Sequence, residues 1–236
     1  MRFPLIAALA FALGGCVSTY PAPPDASKSA ALAPVQPARA AAENFMNVVA
    51  RVEPVAENYC RRRSAARNCD FRIVIDDRPG QPPNAFQTVD NYGRPVIGFT
   101  LALIADARNA DELAFVLGHE ASHHIAGHIP KTQDQALSGA LLAGVLAQAS
   151  GLSPEEVRAA QDLGAQVAAR SFSKEFELQA DALGAEIAFI AGYDPLRGAG
   201  FFDRLPDPGD KFLGTHPPNA QRKAQVAATV KRLSGG

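Results

Sequence analysis

The sequence predicts an α+β domain, mainly helical with one small sheet. Apolar residues recur at helical spacing in several capped segments, and three short β-branched runs cluster between residues 71 and 99. The 236-residue chain is 47% hydrophobic and 20% charged, which suits one domain with a full core. No repeat of solenoid period interrupts it. With a formal net charge of -1 there is no surplus of Lys and Arg to bind phosphate, so nucleic acid is excluded as a partner.

The chain opens with Met1-Arg2 and an apolar run from Phe3 to Leu13, too short to span a bilayer and shaped as a secretory signal over residues 1–15. Leu13-Gly14-Gly15-Cys16 follows, and it resembles a bacterial lipobox, in which the cysteine is lipidated and becomes the new N-terminus. An ordinary signal peptide with an incidental Cys is the alternative. The next residue is Val17 rather than Asp, which in Gram-negative lipoproteins implies sorting to the outer membrane and a domain facing the periplasm. Membrane attachment through acyl chains on Cys16 needs no spanning helix. Residues 16–42 are Pro, Ala and Ser with almost no large apolar side chains, a tether unable to offset its own chain entropy. The folded domain is therefore expected over residues 43–236.

The first helix is expected from Glu43 to about Tyr59, with Phe45, Val48, Val49 and Val52 on one side and Pro54 as a kink or break. Cys60 and Cys69 bracket an Arg-rich loop. In an oxidising compartment they are expected to form a local disulfide, with free thiols as the alternative and the arginines solvated. Phe71 to Ile75 alternates as a strand; Asn84 to Val89 and Pro95 to Phe99 form a second and third around the turn Asp90-Asn91-Tyr92-Gly93. A helix starts at Asn109-Ala110-Asp111-Glu112 and runs to Gly127. The Ala- and Leu-rich stretch from Gln133 to Gln148 is too short for a membrane span and is expected as a buried or groove-lining helix. Ser153-Pro154 opens the next helix, Ser173 to Ile190 forms another ended by Gly192, and a last one follows Pro217-Pro218.

Chemistry concentrates in His119-Glu120-Ala121-Ser122-His123. On a helix, residues at i and i+4 share a face, so both imidazoles can reach one metal ion while Glu120 addresses a water beside it. That is half of a hydrolytic zinc site, because three protein ligands and an open position are needed. Ala126 and Ile129 stand where a metzincin would carry Gly and His, which rejects that completion. A carboxylate from a later helix is the remaining route. Glu177 is the best candidate, since Asp181 one turn later shares its face and could hydrogen-bond a ligating histidine. Glu175 and Glu186 are rivals without that pairing. His124 points away from the metal face, and both it and His128 are expected as solvated or capping histidines.

Four ordered segments resemble one family. Asn84-Ala85-Phe86, Ala114 through Glu120, Ser173 through Asp181, and Thr215-His216-Pro217-Pro218 with Arg222 look like the HtpX-like and CAAX prenyl protease family of gluzincin peptidases, its periplasmic lipoprotein members being nearest in layout. The resemblance spans about residues 43–233 and departs at Lys174, where the family often has Arg. It implies a zincin-like fold and one Zn2+ on His119, His123 and Glu177, with Glu120 as general base. Asp181 is implied as proton donor or as an orienting group. The segment Asn84-Ala85-Phe86 resembles the edge strand that borders the active site and pairs with an extended substrate. His216 is implied as an oxyanion donor or an inhibitory fourth ligand, with capping of the last helix as the alternative. The implied substrates are unfolded or misassembled envelope polypeptides. A different class, an assembly factor that uses the same groove with little proteolysis, is carried beside it.

Overall fold

The computed structural model describes residues 38–63, 66–171, 173–209, 211, 214 and 216–235. The expected signal segment, Cys16 and the expected tether up to residue 37 lie outside the described residues.

Helix α1 (Ala38–Arg63) begins inside the expected tether, because Ala38 to Ala42 is rich in the best helix former and Ala41 is buried. Phe45, Val48, Val52, Ala56 and Tyr59 recur at three- and four-residue steps and pack inward. Pro54 lies within the helix without ending it. The carbonyl it frees belongs to Ala50, which is exposed, so water can take the missing bond.

The sheet has three strands, β1 (Arg72–Asp76), β2 (Ala85–Val89) and β3 (Pro95–Thr100), in the order β1-β3-β2. β3 lies at the centre, parallel to β1 and antiparallel to β2, and is buried along most of its length. β2 is an edge strand with its second side unpaired among the described residues. Asp90 sets the hairpin turn, its Oδ1 accepting from the backbone N–H of both Tyr92 and Arg94 at 2.9 Å.

A short helix α2 (Leu101–Asp106) follows β3 directly, started by the Thr100 hydroxyl accepting from the Leu103 N–H. No Gly, Pro or turn cluster announces it. Helix α3 (Ala110–Ala126) starts on Asn109, whose side chain accepts from the Glu112 N–H, and stops at Gly127 in the left-handed conformation (φ 70°). Its Leu113 to Leu117 run is entirely buried. α3 packs against α1, α6 and β2 and is the centre of the core.

Helix α4 (His128–Ala149) starts five residues before the expected Gln133, because the Gly127 turn is itself the boundary. Of the expected buried or groove-lining helix, the buried alternative is corrected, whereas Ile129, Thr132 and Gln133 near its start do line a cavity. Leu137, Leu141, Leu142, Val145 and Leu146 are each about 60% exposed, and only His128, Gly144 and Ala147 are buried. α4 pairs chiefly with α5 (Pro154–Ser171), which opens on a reciprocal cap between Ser153 and Glu156. Gly139 and Gly164 bring the two backbones together, leaving no space for a Cβ at either position.

Helix α6 (Ser173–Ile190) returns across α3. α7 (Pro195–Gly198) and a 3-10 turn (Ala199–Arg204) come next, and α8 (Asn219–Ser234) packs on α6. No local signal announces the short pair, since Asp194-Pro195 reads as a turn as readily as a cap. Cys60 and Cys69 are joined by a disulfide, with Cα atoms 5.7 Å apart. Two residues inside its loop hold the far end of α3. Arg67 donates to the carbonyls of His124 (2.6 Å) and Ile125 (3.0 Å), and the Asn68 carbonyl accepts from His124 at 2.7 Å.

Candidate metal centre

α3 and α6 cross where Gly118 faces Gly184. A Cβ on Gly184 would lie 2.7 Å from the His119 backbone nitrogen, and one on Gly118 would lie 2.7 Å from the Gly184 carbonyl. Contact of backbone on backbone brings the side chains of the two helices unusually near one another. His119 and His123, one turn apart on α3, thereby meet Glu177 and Asp181, one turn apart on α6.

The ring nitrogens Nε2 of His119 and His123 are 3.1 Å apart. Glu177 Oε2 lies 3.6 Å from the first and Oε1 3.4 Å from the second. Metal bonds of about 2.1 Å in a tetrahedron place ligand atoms roughly 3.4 Å apart, so these spacings suit one zinc-sized ion. Among the described residues, His119, His123 and Glu177 form the group of such donors with ligand atoms all within 4.8 Å of one another. Glu186 is engaged elsewhere, bound by Tyr59 and Arg232, and Glu175 is exposed.

Proton positions point the same way. His119 Nδ1 faces Asp181 Oδ1 at 2.9 Å, and an ionised carboxylate only accepts, so Nδ1 carries the hydrogen and Nε2 the lone pair. His123 Nδ1 faces His128 Nδ1 at 2.9 Å, and His128 Nε2 faces Gln179 Oε1 at 2.8 Å. The amide oxygen accepts from His128 Nε2–H. His128 Nδ1 then accepts from His123 Nδ1–H, which leaves Nε2 of His123 bare. Two lone pairs 3.1 Å apart with a carboxylate beside them repel unless a cation or proton lies between them.

Charge balance adds to this. Glu120, Glu177 and Asp181 meet one guanidinium, that of Arg222, which grips Asp181 through Nε (2.8 Å) and Nη2 (2.7 Å) and lies 3.2 Å from Glu177. A divalent cation would neutralise the remainder. Burial pushes the Glu120 carboxyl up to about 7, helped by Glu177 and opposed chiefly by His119. Burial also pushes His123 down to about 3, keeping it neutral as a ligand must be. Glu177 moves the other way. Its burial is outweighed by His216, His119, His123 and Arg222, which hold it well below the usual carboxylate range. For His119, burial opposes the charge but Asp181 prevails and the pKa is raised.

Asp181 has no exposed surface and does not line the cleft. Enclosed by Arg222 and His119, it is placed to orient the His119 ring, in line with the orienting alternative rather than direct proton donation. His216 Nδ1 approaches Glu177 Oε2 at 3.2 Å, and its side chain is 55% exposed. It does not cap α8, whose N-cap residue is Pro218 and which has no side-chain cap. The cleft, about 490 Å³, is bordered by Asn84 and Ala85 at the start of β2, by His119, Glu120, His123, Glu177 and His216, and by an apolar wall including Phe201 and Phe202. Phe86 turns from the cleft to cover Gly98 of β3.

The profile of peptidase family M48 matches residues 44–230. The chain belongs to peptidase family M48. Members of M48 are metal-dependent peptidases, in keeping with the donor cluster. The mitochondrial metalloendopeptidase OMA1 of Arabidopsis thaliana is 30% identical over 136 residues, 56% of this chain and 27% of that protein. The chain thus spans about a quarter of the length of this relative.

The expectation of a solvated or capping His128 is corrected. The residue is buried, not solvated, and stacks on Phe176 with ring centroids 4.4 Å apart. Its spacing of five from His123 places it on no common helical face, and only the Gly127 turn brings it back. His124 is half-buried and bonded to Asn68.

Proposed function

We propose that the chain is a zinc-dependent endopeptidase of the bacterial cell envelope, held to the outer membrane by a lipid on Cys16 and acting on unfolded or misassembled envelope polypeptides. The observation that carries the catalytic part is the convergence of His119, His123 and Glu177 beside a cleft-lining Glu120. Zinc held by these three donors would supply Lewis acidity, polarising the scissile carbonyl and acidifying a water.

The protein's own groups do the rest. An extended substrate lies along the free side of β2, its backbone pairing with the strand and its scissile carbonyl brought to Glu120. Glu120, ionised, takes the proton of the attacking water and passes it to the leaving amine. In the metal-free fold desolvation raises its proton affinity toward neutrality, the direction needed by a base that later returns the proton. His216 stands at the mouth within reach of the same carboxylate face and donates to the developing oxyanion. Asp181 and Arg222 keep His119 and Glu177 from moving as charge builds.

Zinc content and cleavage of an unfolded model protein, measured on the same preparations, test this. Glu120→Gln should retain about one zinc per chain and lose at least roughly 100-fold in cleavage rate, while His119→Ala and Glu177→Gln should lose zinc and cleavage together. Full zinc in either ligand variant would overturn the ligand assignment. Undiminished cleavage by Glu120→Gln would remove the general base.

A further inference from the structure

We propose that His128 is a positioning residue that sets the tautomer of His123, through a hydrogen-bond chain running from Gln179 to His128 to His123. The inference rests on the zinc reading above and extends it to residues outside the donor set.

A neutral imidazole has one N–H and one lone pair, and a metal ligand must turn the lone pair to the ion. His119 receives that instruction from the Asp181 carboxylate at 2.9 Å. His123 has no carboxylate at its Nδ1. Its partner there is another ring, His128 Nδ1 at 2.9 Å, which can donate or accept. The choice passes to the far side of that ring, where Gln179 Oε1 stands 2.8 Å from His128 Nε2. With the amide oxygen facing it, His128 must donate at Nε2 and accept at Nδ1, and His123 is left with Nε2 free. The opposite amide orientation would reverse both rings and place a hydrogen where the metal belongs.

The ring doing this is fixed. His128 is 4% exposed and lies flat on Phe176, with 11° between the ring planes. Phe176 and Gln179 flank Glu177 on α6, so one helix supplies both a ligand and the control of another ligand's tautomer. Gln179 is itself exposed, so water competes for its partner and its removal should matter less than removal of His128.

The test is the zinc dissociation constant of the full chain, measured by competition with a chromogenic chelator, beside the melting temperature of the metal-free protein. His128→Leu should weaken zinc binding by about 10- to 100-fold. His128→Asn, whose amide oxygen can occupy the Nδ1 position and accept from His123, should recover most of that loss. Gln179→Leu should weaken binding a few-fold with the melting temperature unchanged. Equal weakening in His128→Leu and His128→Asn would reduce His128 to packing and overturn the proposal, as would wild-type affinity in His128→Leu. If His119→Ala binds zinc as tightly as the wild type, the donor set itself is wrong rather than its positioning.

Discussion

Burial and the Glu177 carboxylate both penalise the charge of Glu120 and so raise its proton affinity. Its pKa rises from 4.5 to about 7 in the metal-free fold, so between those values the native state holds a proton that the unfolded chain has released. Stability from this group is therefore full below pH 4.5 and is lost as the pH climbs through about 7. His123, pushed down to about 3, contributes in the opposite sense: its share is lost as the pH falls from its unfolded value toward 3. Comparing metal-free wild type with metal-free Glu120→Gln isolates the carboxyl. The variant should be the more stable at pH 8, by on the order of 3 kcal/mol, and the gap should close by pH 4.5. Denaturant titrations at the two pH values check it. Arg222 answers a different question. Burial works against its charge, but Asp181, Glu177 and Glu120 outweigh that and its pKa is raised. Arg222→Met leaves Asp181 buried without its counter-ion, and the expected loss is about 3 to 5 kcal/mol in chemical denaturation.

At the scale of elements, the site depends on how α3 meets α6. Gly184→Ala inserts a methyl against the His119 backbone, where no flexible side chain can give way. The helices must part, at a cost of about 1 to 3 kcal/mol, and Glu177 must recede from the imidazoles. Both a lower melting temperature and weaker zinc binding are expected; retention of wild-type affinity would show that the crossing does not set ligand spacing. The other end of α3 is held from a distance. Arg67 and Asn68 bind its last turn because the Cys60–Cys69 disulfide closes their loop. Reduction should cost on the order of 2 to 3 kcal/mol by release of loop entropy. It should also speed hydrogen exchange in the last turn of α3, which exchange mass spectrometry with and without reductant would reveal.

For the whole molecule, the cleft follows the sheet edge. Asn84 and Ala85 border the metal-side cavity, and a second cavity of about 350 Å³ lies farther along β2, lined by Gln87 and Val89 with His123 and His124 opposite. A polypeptide paired with β2 would pass from one to the other in extended form. Substrate peptides with N-methyl groups at the positions facing β2 should be cut far more slowly than their parents, while side-chain changes at those positions should matter less. The proposed anchorage belongs to this scale as well. Cys16→Ala should leave unprocessed precursor without acyl chains, seen as a mass difference and a changed membrane fractionation.

Much of this protein is legible without coordinates. Caps and turn residues mark α3, α5 and α6 closely, because Asn109, Ser153, Gly127 and Gly192 act on their immediate neighbours. The spacing of His119, Glu120 and His123 is a property of one helix and needs no partner to be read. Local rules fail where the cause is distant. The exposed leucines of α4 look like core from sequence, since the pattern cannot say whether another layer covers them. His128 belongs to no motif face, and its role appears only once Gly127 reverses the chain and α6 brings Gln179 and Phe176 beside it. That Glu177 rather than Glu186 faces the two imidazoles depends in the same way on which side of α6 lies against α3. Sequence alone determined the chemistry available, because donors and their helical spacing are local. The tertiary structure decided which of those groups converge on one point, because that depends on the close approach of Gly118 to Gly184.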